Sequence, residues 1–197
     1  MKAPIDRVSD SFAEQFEMEY LLRNVPICEV QPDSGTDIWT AIVQPKNNGW
    51  SVIFWGTADW AKSLSARLNT KAATLMMDDT DAGTAYEIYE KGSLIEKAYW
   101  TPDYFVSQQR MMYESAVRPY PDLDLLAPDD NDATYDAESG TSHNEQVFHQ
   151  FIDDIFCEEG IYIPACWADG YGSYGQLAVE GPSMGSIERA DLLWIEK

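Results

Sequence analysis

DIWTAIVQ (Asp37–Gln44) and WSVIFW (Trp50–Trp55), joined through Lys46-Asn47-Asn48-Gly49, are two β-branched and aromatic runs on either side of an Asn-Gly pair. Asn-Gly accepts the left-handed backbone that tight hairpins require, so the stretch predicts an antiparallel β-hairpin. Both runs are apolar on both alternating faces. That pattern predicts central strands covered on each side, not an exposed meander.

The flanking sequence supplies the cover. Upstream, Ser11 and Glu14 make an S-x-x-E capping box, and Phe12, Ala13, Phe16, Tyr20 and Leu21 share one face, which predicts a helix over 11–23 stopped by Asn24 and Pro26. Downstream, Thr57 caps a second helix over 57–69 in which Trp60, Leu64 and Leu68 recur every four residues. AATLMMDD, TAYEIYE and SLIEKAYW follow, punctuated by Asp81-Ala82-Gly83 and Lys91-Gly92, and read as three strands of a meander. Residues 101–117 are ambiguous, with Met111, Met112 and Val117 able to line a helix. Residues 118–143 carry three prolines and no periodicity and read as a long acidic loop, a length usual only for functional or disordered connections. Ser142 and Glu145 open a further helix whose stripe of Val147, Phe148, Phe151, Ile152, Ile155 and Phe156 ends at Gly160. IYIPACW, QLAVE and ADLLWIE supply the last strand candidates. Without a regular β-α-β rhythm the expectation is an α+β fold: a largely antiparallel sheet with about three helices packed on it. Residues 1–197 are expected to form a single domain in which 144–197 completes the same core.

Of the 197 residues 45% are hydrophobic and 13% aromatic, ample to build a core despite a formal charge of −21. The charge is uneven. Residues 1–118 hold 17 acids and 11 bases, residues 119–188 hold 15 acids and no Lys or Arg, and the last nine residues balance. A 70-residue stretch without a cation cannot neutralise itself by internal ion pairs, so its field extends outward over ~8–10 Å at physiological salt. Nucleic acid and anionic membrane surfaces are repelled, whereas basic proteins and divalent cations are favoured. The same charge also has a plain reading as solubility. The first residues lack an apolar signal-peptide core, and no apolar run approaches the ~20 residues of a membrane span. Cys28, Cys157 and Cys166 are dispersed without C-x-x-C spacing, so a reducing compartment, the cytoplasm, is expected.

Motifs of chemistry are sparse. Gly170-Tyr171-Gly172-Ser173-Tyr174-Gly175 matches G-x-G-x-x-G, but Gly181-Pro182 ends any helix there too soon for a pyrophosphate site, so it reads as a glycine-aromatic turn and no cofactor is expected. Asp78, Asp79 and Asp81 are spaced as hard oxygen ligands for Mg²⁺ or Ca²⁺, and equally as an acidic turn. Asp129, Asp130, Asp132, Asp136 and Glu138 echo a calcium loop but lack its glycine and its terminal glutamate. His143 and His149 are the only histidines, which leaves His149 as the candidate acid or base. Glu145 and Asp153 lie four residues to either side of it, a row that favours the imidazolium and suits a surface ion-pair ladder. Cys157 and Cys166 read as buried small hydrophobes. Trp167, Tyr171 and Tyr174, set among glycines beside Asp169, read as interface anchors.

No motif matches a named family. In composition, small, acidic and rich in tryptophan, the chain is similar to bacterial immunity proteins and DNA-mimicking inhibitors. The expectation is therefore an acidic protein-interaction protein, more than an enzyme, that engages a basic partner through Asp129, Asp130, Asp132 and Asp136 with Trp167, Asp169, Tyr171 and Tyr174. Two alternatives stand beside it: a metal-dependent hydrolase using Asp78, Asp79 and Asp81 with His149, and a carbohydrate-binding module presenting the three aromatics.

Overall fold

A computed structural model of the chain describes residues 1–25, 36–53, 57–77, 83–101, 110–125, 143–161 and 187–196. Within them the Asn-Gly hairpin forms: strand β2 (Thr36–Pro45) pairs antiparallel with β3 (Val52–Ile53), in register at Val43↔Val52 and Ile42↔Ile53. The residue that turns left-handed is Asn47 (φ 55°), not Gly49. Gln44 organises the connection: its Nε2 donates to the carbonyls of Asn48 (2.8 Å) and Trp50 (3.0 Å), and its Oε1 accepts from Ser51 Oγ (3.0 Å). β2 is central, as its two-faced apolar pattern predicts, whereas β3 stands at the end of the strand order.

The chain divides into two compact units, the first formed by residues 1–72, 89–93 and 160–197 and the second by 73–88 and 94–159. The segment 144–197 is thus shared between them. In the first unit, helix α1 (Ile5–Gln15), strand β1 (Tyr20–Leu22), β2, β3, helix α2 (Ala58–Leu68) and strand β8 (Ile187–Glu196) form a four-stranded sheet, β1-β8-β2-β3, with two helices. Ile42 and Leu193 point into the core of Val8, Phe12, Leu64 and Leu68, while Ala41, Val43, Ala190 and Leu192 on the opposite face are buried as well. Phe12 meets Trp60 edge-on at 4.9 Å, with Phe16 tilted against both. Thr57 caps α2 by accepting from Trp60 N, as predicted. The helix expected at 11–23 instead begins after Pro4 and ends at Gln15, with Ser11 in its interior. Glu17 then turns left-handed and Tyr20–Leu22 pairs with β8, so tertiary strand pairing overrides the local capping pattern.

A second four-stranded antiparallel sheet runs β4-β5-β6-β7: β4 (Lys71–Met77), β5 (Thr84–Glu90), β6 (Ser93–Thr101) and β7 (Arg110–Ser115). The three expected meander strands are present. The β5–β6 turn has positive φ at both Lys91 and Gly92, the backbone of a type I′ hairpin. Residues 110–115, part of the stretch in which a helix was possible, form an edge strand paired with β6 from Thr101↔Arg110 to Glu96↔Ser115. In the second unit, helix α3 (His143–Glu159) lays Phe148, Ile152, Ile155 and Phe156 on the sheet face that carries Tyr86 and Trp100; Phe156 meets Tyr86 at 5.8 Å and Phe148 meets Trp100 at 6.2 Å. Three helices and two antiparallel sheets make the fold α+β among the described residues. No helix among them is long and apolar enough to cross a membrane.

Candidate functional site

The covered face of the second sheet is set by strand alternation: Thr84, Tyr86 and Ile88 on β5, Glu96, Ala98 and Trp100 on β6, with Tyr113 and Ser115 opposite them on β7. Glu96 is the anomaly in this row, a carboxylate with no solvent exposure among aromatic rings. Burial of an unpaired carboxylate is prohibitive, so its surroundings must satisfy it. They do. Tyr86 Oη donates to Oε1 at 2.7 Å and Tyr113 Oη more weakly at 3.4 Å, while Ser115 Oγ and the Arg118 guanidinium donate to Oε2.

Arg118 is the hub. Besides Glu96 it binds Glu158 through Nε (3.2 Å) and Glu159 through Nη2 (3.1 Å), the two acids that close α3. Two carboxylates at a helix C-terminus oppose the helix dipole, and the guanidinium offsets this. Burial of Arg118 acts to lower its pKa, but the hydrogen bonds and charges of Glu96, Glu159 and Glu158 outweigh it and hold the pKa above the usual arginine range. Burial, with Glu96 adding to it, raises both the Tyr86 and Tyr113 phenols, so neither gives up a proton near neutrality.

The first unit contains a parallel arrangement. Asp191 of β8 is fully buried and accepts from Ser9 Oγ (2.8 Å), from Asn24 N (3.0 Å) and bidentately from Arg189 (2.8 and 3.0 Å). Arg189 continues to Asp6 (2.8 Å), and Arg23 joins Asp6 and Asp10. Arg67 pairs with Glu14 and Lys97 with Glu114. Five cations, Arg23, Lys97, Arg67, Arg118 and Arg189, are therefore committed to internal ion pairs.

Of the residues singled out from sequence, Asp78, Asp79, Asp81, Asp129, Asp130, Asp132, Asp136, Trp167, Asp169, Tyr171 and Tyr174 lie outside the described residues, as do Ser142, Cys28 and Cys166. No group of three His, Cys, Asp or Glu arranged to hold a metal occurs among the described residues. His149 is placed, and its expected role as a surface imidazolium is corrected. Its ring is half-buried with Nε2 3.2 Å from Thr84 Oγ1, and burial lowers its pKa by more than Asp153 raises it. Cys157, expected to be buried, is exposed, one position past the buried Phe156. Sequence reasoning missed Glu96 and Arg118; the available signal was an acidic residue two places from Ala98 and four from Trp100 on a strand with a single covered face. No family model, curated protein or solved structure matches this chain.

Proposed function

We propose that the protein is an acidic interaction protein of the inhibitor or immunity type, acting in a reducing compartment such as the cytoplasm, that captures a basic protein partner. The observation carrying this reading is the 70-residue stretch 119–188, with 15 acids and no Lys or Arg, whose nearest preceding cation, Arg118, is bound to Glu96, Glu158 and Glu159. Among the described residues Arg118 offsets two of those 15 acids, Glu158 and Glu159. Along α3 the exposed positions are Gln146, Gln150, Asp154, Cys157 and Glu158, a face without a cation. A field of one sign steers an oppositely charged partner and raises its association rate, while rigid aromatics such as Trp167, Tyr171 and Tyr174 supply the contacts that slow dissociation. Asp129, Asp130, Asp132, Asp136 and Asp169 are the acids assigned to the contact.

Replacing Asp129, Asp130 and Asp132 together with Asn tests the assignment. The expected result is slower association with the captured partner and a shallower dependence of that rate on salt, with dissociation little changed. Unchanged association kinetics would remove the 118–143 segment from the interface.

A further inference from the structure

The edge of the second sheet points to how such a partner is held. β7 is the last strand in the order β4-β5-β6-β7. Ala116 N donates to Ile95 O at 2.8 Å, and the pairing continues as Lys97↔Glu114, Tyr99↔Met112 and Thr101↔Arg110. In an antiparallel ladder hydrogen-bonded pairs alternate, so the backbones of 110, 112, 114 and 116 face β6 and those of Met111, Tyr113 and Ser115 face away from it. Among the described residues no strand pairs with that outer side. Natural edges are blunted by charged side chains, lysine above all, by proline or by brevity. β7 has six residues with neither lysine nor proline; its charged side chains are Arg110 and Glu114, and Met112 on it is 56% exposed. Of the other end strands, β1 and β3 have three and two residues, and in β4 the carbonyl of the first residue, Lys71, accepts from Lys2 N.

The surroundings of this edge choose the occupant. Glu114 is 72% exposed and pairs with Lys97 of β6, Arg110 is the strand's own cation, and the guanidinium of Arg118 is already bound. A second copy brings the same net charge of −21 and is repelled as a whole. We infer that β7 is a docking edge for an extended, lysine- or arginine-bearing segment of the partner, which adds as a fifth strand to the outward N–H and C=O groups of Met111, Tyr113 and Ser115. Main-chain hydrogen bonds give the affinity, and alternate side chains, apolar beside Met112 and basic beside Glu114, give the selectivity. This inference rests on the basic-partner reading above.

The test is titration of the full chain with a short synthetic peptide of alternating valine and lysine, followed by fluorescence anisotropy and amide hydrogen exchange. The same peptide N-methylated at alternate residues serves beside it. The expected result is protection of the Met111, Tyr113 and Ser115 amides and affinity at least about tenfold weaker for the N-methylated peptide. Met111→Pro, which removes one outward N–H, gives a comparable loss, and Met111→Ala, which keeps it, does not. If Met111→Pro fails to fold, the two peptides decide alone. Equal binding of both peptides overturns the strand-addition inference and leaves a purely electrostatic partner reading intact. Absence of binding by either, or a dimer of the free chain in which these amides are already protected, also overturns it; only the further failure of the chain to retain any basic protein removes the underlying reading.

Discussion

Arg118 and His149 show how single side chains carry opposite solutions to burial. Arg118 is stabilised as a cation by three carboxylates, one of them fully buried, and removing one partner of a buried pair leaves the other charge uncompensated. Arg118→Met is expected to lower unfolding stability by about 3–5 kcal/mol in urea titration. In the double variant with Glu96→Gln the loss is smaller than the sum of the two single losses, because the stranded charge is gone. An additive double variant would mean that the pair is not coupled. His149 is stabilised as a neutral ring. Its folded pKa lies below the ordinary 6.5, first through burial, with Asp153 opposing. The unfolded chain therefore binds the extra proton first, so the contribution of His149 is complete above pH 6.5 and is lost as pH falls from there through the lowered folded value. Wild type should lose more stability than His149→Gln between pH 7.5 and the acid side of that window; equal losses would show that the ring is not buried neutral. Neither role was legible in the sequence. The i, i+4 spacing of Glu145 and Asp153 about His149 is a surface pattern, and it carries no information on the Thr84 hydroxyl that the fold brings to the ring.

Elements were legible where local chemistry and tertiary pairing agree. Thr57 caps α2, Lys91-Gly92 turns β5 into β6, and the apolar stripe of α3 faces a sheet, all as the residues indicate. They were illegible where pairing decides. Ser11 and Glu14 satisfy a capping pattern inside α1, and the Met-rich run near 111 becomes a strand because β6 offers it a partner. The β5–β6 turn gives a direct test. Gly92 has φ +83°, and a Cβ added there would sit 2.7 Å from the Ala66 Cβ of α2. Gly92→Ala is expected to cost about 1–3 kcal/mol from the backbone conformation, with a contact penalty on top. Ala66→Gly in the same chain should recover only the contact part, since the positive φ remains. Full stability of Gly92→Ala by thermal melting would contradict the placement of this turn.

At the scale of the molecule, the charge asymmetry was readable by counting, and the structure adds where the cations go. Arg23, Arg67, Lys97, Arg118 and Arg189 pair with Asp6, Asp10, Glu14, Glu96, Glu114, Glu158, Glu159 and Asp191, and of these acids Glu158 and Glu159, both held by Arg118, belong to the stretch 119–188. What no count could give is the place of β7 at the end of its sheet, which depends on strand order. Steering by an unscreened field fades as the Debye length shrinks from ~10 Å at 0.1 M salt to ~3 Å at 1 M. The most direct test of the central claim is capture of native lysate proteins on the immobilised full chain at low and at high salt, with the retained proteins identified by mass spectrometry. A single basic protein held at low salt and released at high salt is the predicted result. Retention that ignores salt, or no specific protein at either concentration, would contradict it.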